Sequence, residues 1–431
     1  MNTASTLTRL AALCVALAGA PALAVDAAWS GFATLGYARS DSPYTYQRFI
    51  NEDGTLRRDS LIAGQLDLSL APQWSATAQA KLAPAEDSDT AWRAQAAWAF
   101  VGWRPNNDWL VRVGKLRLPL YLYSESLDVG VSNDMARLPH EVYSISPTND
   151  FSGLFVTRNF TVGEREFSVD GYGGQADTTA RFWTRDGLPP VVPAGPMLRD
   201  VRIKVAGLVL TARDSDLTWR LGLQATDTRL SNGQGFPVRY PRVDLGPGLG
   251  FWKVDDALPG PAISRADRIR NVVLTGGAEW QIGQGWRVAG ELVRTLQRDT
   301  ELGSDSLAGY LAVFKRVGAF TPYVSVARQQ SSAGVREWYE RLTSSSLPAQ
   351  IPGAGQINAA QRIAAESLYA FDQRSLALGT SYALSPTAKI KAEWMRTRVG
   401  AMSTHFDTPP GQPDLRNQRV DSVSVNVSVA F

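Results

Sequence analysis

Five carboxylates lie in one long segment, residues 117–150, and basic side chains recur on the alternating stretches around it. The acidic residues are Glu125, Asp128, Asp134, Glu141 and Asp150. The basic residues nearby in sequence are Lys81, Arg93, Arg112, Lys115 and Arg117. Acids facing bases across a narrow wet passage produce a transverse field, which orients dipolar solutes and disfavours apolar ones. The chemistry that these residues predict is therefore selection of solutes by charge.

A further charged set alternates on a late stretch of the chain. It consists of Lys389, Lys391 and Glu393, which we expect on the wall opposite the first basic set. Because acids and bases both occur on these faces, a preference for anions or cations does not follow from the counts. The alternative interpretation is structural: the acids of 117–150 face solvent, and the bases form ion pairs with their neighbours.

The sequence gives little support for a catalytic or metal-binding site. The chain has two histidines, His140 and His405, and one cysteine, Cys14, which excludes a Cys/His zinc site. No serine motif accompanies either histidine, so both are interpreted as loop residues. Residues 246–250 are glycine-rich but contain Pro247 and lack a following Lys-Ser/Thr, which argues against a phosphate-binding loop. We therefore predict no enzyme activity, no metal and no cofactor.

Composition narrows the protein classes further. The chain has 431 residues, of which 44% are hydrophobic and 20% charged, and this balance argues against wholesale disorder. The net charge of +3 is too small for a typical nucleic-acid binder. After the N-terminal segment, no stretch offers the ~20 apolar residues that a membrane-spanning helix needs.

Residues that alternate between polar and apolar recur along the chain, whereas amphipathic helical spacing is rare. Leucines at 66, 68 and 70 alternate with polar residues, and valines at 423, 425, 427 and 429 alternate with serine and asparagine. This period of two predicts β-strands with one apolar and one polar face. A soluble β-protein has such strands too, but it would be extracted without detergent.

Three features favour a membrane barrel over a soluble sandwich. Aromatic residues lie near predicted strand ends, as girdles at both interfaces require: Trp29, Trp74, Trp92, Trp103, Trp109, Trp219, Trp280, Trp286, Trp394 and Phe431. Short turns alternate with long polar connections, which include 40–59, 117–150, 175–200, 229–268, 331–371 and 399–418. A strand reaches the last residue, Phe431, and an unpaired strand edge in lipid is very costly.

Counting strands between the turns predicts an all-β fold, a transmembrane antiparallel β-barrel of about 16 strands. The predicted strands begin at Trp29, Ser60, Gln73, Ala91, Trp109, Phe151, Arg165, Val201, Leu217, Arg270, Trp286, Asp305, Phe320, Asp372, Ala388 and Arg419. A barrel of this size leaves an aqueous lumen. Residues 117–150 are the candidate for an inward-folded constriction loop, and residues 353–366 are a candidate short helix in a loop.

The N-terminus predicts export. Residues 1–24 combine Arg9, an apolar stretch over 10–17 and the small-x-small sequence Ala22-Leu23-Ala24, which are typical of a secretory signal peptide. A lipoprotein signal is disfavoured because Leu13 precedes Cys14. The predicted barrel then occupies residues 25–431, without cysteine.

The mature chain resembles the Gram-negative outer-membrane porins. The resemblance is carried by the signal segment, by the alternating strand 423–431, by Val111-Arg112-Val113-Gly114-Lys115-Leu116-Arg117-Leu118-Pro119, and by residues 124–130 and 139–143. A Gly-basic pair followed by proline is similar to the entry of the porin constriction loop. Lys115 stands where porins more often have arginine, and the loop lacks Pro-Glu-Phe-Gly-Gly, so the constriction is expected to differ in detail.

The resemblance implies a function and partners. We expect passive diffusion of small hydrophilic solutes and ions through a water-filled channel in the outer membrane. It further implies a homotrimer, contacts with outer-membrane lipid and lipopolysaccharide, and recognition of Phe431 by the barrel-assembly machinery. Two alternatives stay open: a substrate-specific channel of the same architecture, and a plugged barrel with a structural or enzymatic role.

Overall fold

The computed structural model describes residues 26–431, so the predicted signal segment lies outside the described residues. Within them, sixteen antiparallel strands form one closed barrel. In chain order, β1 to β16 are Asp26–Ser40, Leu61–Ala71, Trp74–Pro84, Trp92–Trp103, Trp109–Arg117, Asp150–Val162, Arg165–Thr184, Gly195–Arg213, Leu217–Leu230, Ile269–Gly283, Trp286–Arg298, Ser306–Lys315, Phe320–Ser331, Phe371–Ser385, Ala388–Ser403 and Arg419–Ala430. Pairing of β1 with β16 closes the barrel and confirms the predicted fold class.

The predicted strand starts agree with the structure to within three residues in fifteen of sixteen cases. The exception is β8, which was expected from Val201 and begins at Gly195. The predicted loop 175–200 is therefore wrong in extent: β7 and β8 stay paired up to Thr184 and Gly195, which leaves 185–194 as the connection. The threonines and glycines of this stretch resemble a loop in composition, but cross-strand pairing overrides that preference.

The two faces of the wall carry opposite polarities. On β16, Val423, Val425 and Val427 are 39–52% exposed, whereas Ser424 and Asn426 on the other face are at most 3% exposed. Apolar side chains outside and polar side chains inside are the reverse of a soluble protein, and this arrangement suits a barrel surrounded by lipid. The soluble β-sandwich is thereby excluded.

The aromatic girdle is well developed at one end of the barrel. Eight of the ten predicted aromatic residues lie near the short-turn ends of their strands, and Trp74 stacks on Trp103 with ring centroids 6.0 Å apart. The exterior at the long-loop end instead carries arginines such as Arg374 and Arg398. The expectation of aromatic girdles at both interfaces is therefore correct for the short-turn end only.

The long connections contain additional structure. The connection between β5 and β6 holds a 3₁₀ turn, Gly130–Ser132, and α1, His140–Tyr143. The connection between β13 and β14 holds α2, Ala333–Ser344, and α3, Ala354–Glu366. Helix α3 confirms the candidate helix at 353–366, whereas α2 was not predicted. Its buried Val335, Trp338 and Leu342 follow helical spacing and pack with Ala364 and Leu368.

Three pairs of short strands occur in the loops, and of these only the first joins two different connections. Residues 45–46 pair with 406–407, residues 236–237 pair with 265–266, and residues 242–246 pair with 249–252 around the glycine-rich turn. None of the helices within residues 26–431 has the length and hydropathy needed to cross a bilayer.

Candidate functional site

The segment 118–149, which connects β5 to β6, is held at one side by Asp128. Lys81 Nζ on β3 lies 3.0 Å from Asp128 Oδ2, and Arg117 Nη2 at the end of β5 lies 2.7 Å from the same oxygen. Arg117 Nε also lies 3.1 Å from Asp150 Oδ1. Burial by itself would raise the pKa of Asp128, but the charges of Lys81 and Arg117 hold it well below its usual value. This anchor joins two predicted acids to two predicted bases.

A second anchor holds the segment to strands on another part of the wall. Asp134 accepts hydrogen bonds from Lys389 Nζ at 2.7 Å, Ser381 Oγ at 2.9 Å and Arg287 Nη2 at 2.5 Å. These partners lie on β15, β14 and β11. Burial opposes ionisation of Asp134, yet the hydrogen bond and charge of Lys389, with the charge of Arg287, lower its pKa. Lys389, predicted on the far wall, therefore pairs with an acid of the segment.

A third group of contacts involves tyrosines and glutamates. Glu291 on β11 accepts hydrogen bonds from the Leu122 backbone N–H at 2.8 Å and from Tyr310 Oη at 2.9 Å, and Tyr143 Oη donates to it as well. Tyr123 Oη donates to Glu279 on β10. A carboxylate that accepts several hydrogen bonds fixes the position of the chain that donates them.

The remaining predicted far-wall residues bind the backbone of the same segment, directly or through a neighbour. Lys391 Nζ donates to the carbonyls of Gly130 at 2.7 Å and Met135 at 3.2 Å. Tyr323 Oη donates to Glu393 Oε2 at 2.8 Å and accepts from the Ala136 N–H at 2.9 Å. The segment thus contacts polar faces of β3 and of strands from β10 to β15.

Several predicted site residues lie elsewhere. Arg93 pairs with Asp87 at 2.9 Å with its side chain 54% exposed, and Lys115 shares a strand face with the exterior Val113. Glu141 is buried in α1, where it accepts from Gln373 Nε2 at 2.9 Å. Phe431 pairs through its backbone with Gly31 and exposes 71% of its surface.

Glu125 and Arg112 stand apart from the anchors. Glu125 is exposed on the segment, and its carboxylate is close enough to act electrostatically on Arg112 and on Asp170 of β7. The Arg112 guanidinium lies 4.3 Å from the Phe155 ring centroid. Arg220 on β9 donates to the Pro119 carbonyl at 3.1 Å. Charged side chains of both signs therefore face the segment from β5 to β9.

Sequence analysis missed several residues that position the segment. Glu279, Arg287 and Glu291 lie on the polar faces of β10 and β11, and Tyr323 lies on β13. Strand alternation alone marks them as facing the lumen, which is the signal that was available. Their partners in the segment could not be identified, because those contacts span up to 187 positions in sequence.

A cavity of about 920 Å³, which we call the vestibule cavity, lies at the long-loop end of the barrel. The upper parts of β8 and β10 contribute an apolar wall of Val201, Ile203, Val205 and Val273. Residues from connections, among them Arg58, His140 and His405, line the cavity as well. The chain thus combines a charged segment with an apolar chamber.

The two histidines lie side by side in the lining of this cavity, with ring centroids 4.4 Å apart. Burial lowers the pKa of His405 to about 3, with a further contribution from the charge of Arg58, and burial also lowers the pKa of His140. Ser144 Oγ lies 3.4 Å from His405 Nε2, but that nitrogen is 2.6 Å from Gln329 Oε1. An amide oxygen only accepts, so Nε2 carries the proton and offers no base to Ser144. Across residues 26–431, no group of three or more His, Cys, Asp or Glu side chains is arranged to hold a metal ion.

Comparisons with known proteins identify the fold. No family model matches the chain, and no curated protein is similar in sequence. The in-vitro folded OmpT, an outer membrane protein of Vibrio cholerae, superposes with a TM-score of 0.52 at 10% identity, over 95% of this chain and 99% of that one. Outer-membrane expressed OmpT gives 0.51 at 11% identity, over 96% and 99%. The anion-selective porin from Comamonas acidovorans gives 0.49 at 12% identity, over 94% and 100%. This similarity concerns the fold alone, and the chain has the fold of an outer-membrane β-barrel.

Proposed function

We propose that this barrel is a porin, a water-filled channel through which small hydrophilic solutes and ions diffuse across the outer membrane. The observation that carries the proposal is the closed sixteen-stranded barrel, whose inner face is polar and is bound by the charged 118–149 segment through Asp128 and Asp134. Solutes would pass between the segment and strands β5 to β9, where charges of both signs produce a transverse field. The anchors at Asp128 and Asp134 would hold the segment at a fixed distance from that wall.

Single-channel recording in a planar bilayer with a salt gradient tests the proposal. We expect discrete conductance steps and a nonzero reversal potential. Glu125→Gln should shift the reversal potential toward anion preference, and Arg112→Gln should shift it toward cation preference, because each change removes one charge from the passage. Arg93→Gln is the matched control, since Arg93 pairs with Asp87 near the loop end of β4. Folded, inserted protein without conductance steps would refute the channel.

The enzymatic alternative makes a separate prediction. A hydrolase that used either histidine would lose activity in His140→Ala or His405→Ala. The hydrogen bond from His405 Nε2 to Gln329 argues against a Ser144 nucleophile. Hydrolysis of ester or peptide substrates that disappears in either variant would favour the enzyme over the passive channel.

Lipopolysaccharide is the partner that we propose for a row of exterior arginines. Arg328 on β13 pairs in register with Arg374, Arg374 with Arg398, and Arg398 with Arg419 on β16. All four are exposed. Like charges directly opposite each other on neighbouring strands are destabilising, so such a row is favoured by a bound anion. The row lies next to exposed exterior apolar residues such as Val326, Leu376 and Val423.

Binding of Kdo2-lipid A to the purified barrel tests this partner. The double variant Arg374→Gln, Arg398→Gln should bind roughly 10-fold more weakly, since two charge-assisted contacts are lost. Arg270→Gln is the control, because Arg270 lies outside the row and is paired with Asp299. Equal binding of dephosphorylated lipid A, or undiminished binding by the double variant, would refute the site.

We also propose a homotrimer, as the porin resemblance implies, and one OmpT structure is described as a trimer form. Cross-linking of the protein in outer-membrane vesicles tests this assembly.

Recognition of Phe431 by the barrel-assembly machinery is tested by Phe431→Ser, which should reduce the yield of folded barrel in cells. A variant that assembles as well as the parent chain would refute that role.

A further inference from the structure

The wall of the vestibule cavity is unusually apolar for the inside of a water-filled barrel. Val201, Ile203 and Val205 on β8 and Val273 on β10 line the cavity, and each is 5–7% exposed. On the opposite face of β8, the exposed Arg202 and Lys204 alternate with these residues. The apolar side chains of this part of β8 therefore face the lumen, whereas the lumen face of β16 is serine and asparagine. What these side chains present to the cavity is apolar, and such a lining favours an apolar group over water on the cavity side.

Polar atoms without partners occur on the same lining. Asn271 Oδ1, Thr295 Oγ1 and Gln329 Nε2 are buried and make no hydrogen bond among the residues that the structure describes. Thr295 is 4% exposed and Gln329 is 0% exposed, and all three residues line the cavity. A buried donor or acceptor left unpaired costs free energy, so these atoms indicate that something polar occupies part of the chamber.

Arg58 supplies a positive charge to this lining. Its Nε donates to Gln47 Oε1 at 2.9 Å, and within residues 26–431 no carboxylate lies within 4.0 Å of its guanidinium. Most of the acids around the cavity are already engaged: Asp407 pairs with Arg181 and Asp256 pairs with Arg265. Burial also raises the pKa of Glu86, which favours its neutral form. Two cations on this lining, Arg58 and Arg199, thus have no ion pair among residues 26–431, and Arg58 is the less exposed of the two.

We propose that the vestibule cavity is a binding site for an amphipathic monocarboxylate, whose carboxylate pairs with Arg58 and whose apolar body covers the wall around Ile203. Asn271, Thr295 and Gln329 then hydrogen-bond polar substituents or water carried with the solute. The inference deepens the proposed porin function, because occupancy of the cavity makes the channel selective for this class. A cavity of about 920 Å³ is within the range of small-molecule sites.

Equilibrium binding of 4-phenylbutyrate to the folded barrel in detergent, followed by calorimetry, tests the site. The parent chain should bind saturably, whereas acetate, which lacks the apolar body, and 4-phenylbutanamide, which lacks the charge, should both bind at least ~10-fold more weakly. Arg58→Gln should weaken phenylbutyrate binding by at least ~10-fold for the same reason. Ile203→Val, which removes one methylene, should weaken it about 4-fold.

Arg39→Gln is the matched control, because Arg39 lies on the exterior face of β1 and donates to the Glu52 carbonyl. Retention of the heat-modifiable electrophoretic shift shows that each variant is folded. Equal affinity of the parent chain and Arg58→Gln, or equal affinity for acetate and phenylbutyrate, would overturn the proposal. If the protein binds phenylbutyrate but shows no conductance, the proposed porin function is wrong and the binding site is supported. If it conducts but does not bind phenylbutyrate, the binding site is wrong and the porin function is supported.

Discussion

The two anchor carboxylates of the 118–149 segment, Asp128 and Asp134, differ from the polar groups of the vestibule cavity in how their buried atoms are satisfied. In the segment, Asp128 and Asp134 each accept hydrogen bonds from two cationic side chains. Around the cavity, Asn271, Thr295 and Gln329 have buried atoms without partners, and Arg58 has no ion pair among residues 26–431. Satisfied networks fix a backbone in one position, whereas an unsatisfied group that lines a cavity is available to a further molecule. The comparison thus separates a positioning framework from a binding surface.

The largest effect is expected from breaking the framework at Asp134. Asp134→Ala leaves Lys389 partly buried without its carboxylate and removes one of the two carboxylates that pair with Arg287, so it should destabilise the barrel by about 2 kcal/mol. Freed from this anchor, the segment should also produce larger and noisier single-channel currents. The midpoint of urea unfolding and the current variance are the measurements.

Asp177→Ala provides the contrast to this first prediction. Asp177 pairs with Arg202 at 2.7 Å and both side chains are at least 58% exposed, so solvent screens the interaction and only a small change is expected. If the two variants shifted the unfolding midpoint equally, the anchor at Asp134 would have no special role.

Acidification should loosen the lining of the vestibule cavity at a higher pH than the anchor at Asp128. The pKa of His405 lies at about 3, below its ordinary value of 6.5, so the stability that neutral His405 contributes is lost as the pH falls from 6.5 toward 3. The pKa of Asp128 is also depressed, so its contribution persists down to its unfolded value of 3.8 and is lost only below that. Between pH 6.5 and 4, hydrogen exchange should therefore quicken around residues 404–407 and around His140, whose pKa burial also lowers, before it does around Asp128.

His405→Gln sharpens the acid prediction. A glutamine cannot be protonated in this range, so exchange around 404–407 in the variant should lose most of its pH dependence after correction for intrinsic rates. Simultaneous loosening of both regions in the parent chain would contradict the assignment of His405 to the vestibule alone.

The smallest effect is expected at Glu366, at the end of α3. Burial raises its pKa to about 7, although the Arg185 N–H, 3.2 Å from Oε2, opposes that shift. A raised acid pKa means that stability is lost as the pH rises from about 4.5 through about 7. Glu366→Gln should make the helix α3 contact independent of pH in this range, as measured by proteolysis of the 332–370 connection. Glu337→Gln on exposed α2 is the control, and an identical pH response in both variants would contradict the assignment.

The sequence by itself determined the barrel. A period of two over sixteen stretches assigns each side chain to one face. Because the outer face meets lipid and the inner face meets water, apolar and polar residues alternate along a strand, and the pattern can be recognised from a single strand. The starts of β5, β9 and β16 could therefore be predicted to the residue. Helix α2 was missed because its spacing lay within a stretch interpreted as polar loop, and the extent of β7 and β8 was missed because threonine and glycine occur in both loops and strands.

Only the tertiary structure decided which charges meet. Lys81, Arg117 and Asp128 were recognised as charged site residues, but their convergence on one carboxylate depends on how the 118–149 segment packs. Glu141 and Arg93 are equally plausible by residue type. Glu141 is buried in α1, whereas Arg93 forms an ion pair near the loop end of β4. Strand alternation is a local rule set by backbone geometry, whereas the path of a 32-residue connection depends on contacts far apart in sequence. The vestibule cavity also depends on contacts far apart in sequence, since its apolar wall and Arg58 are more than a hundred residues apart.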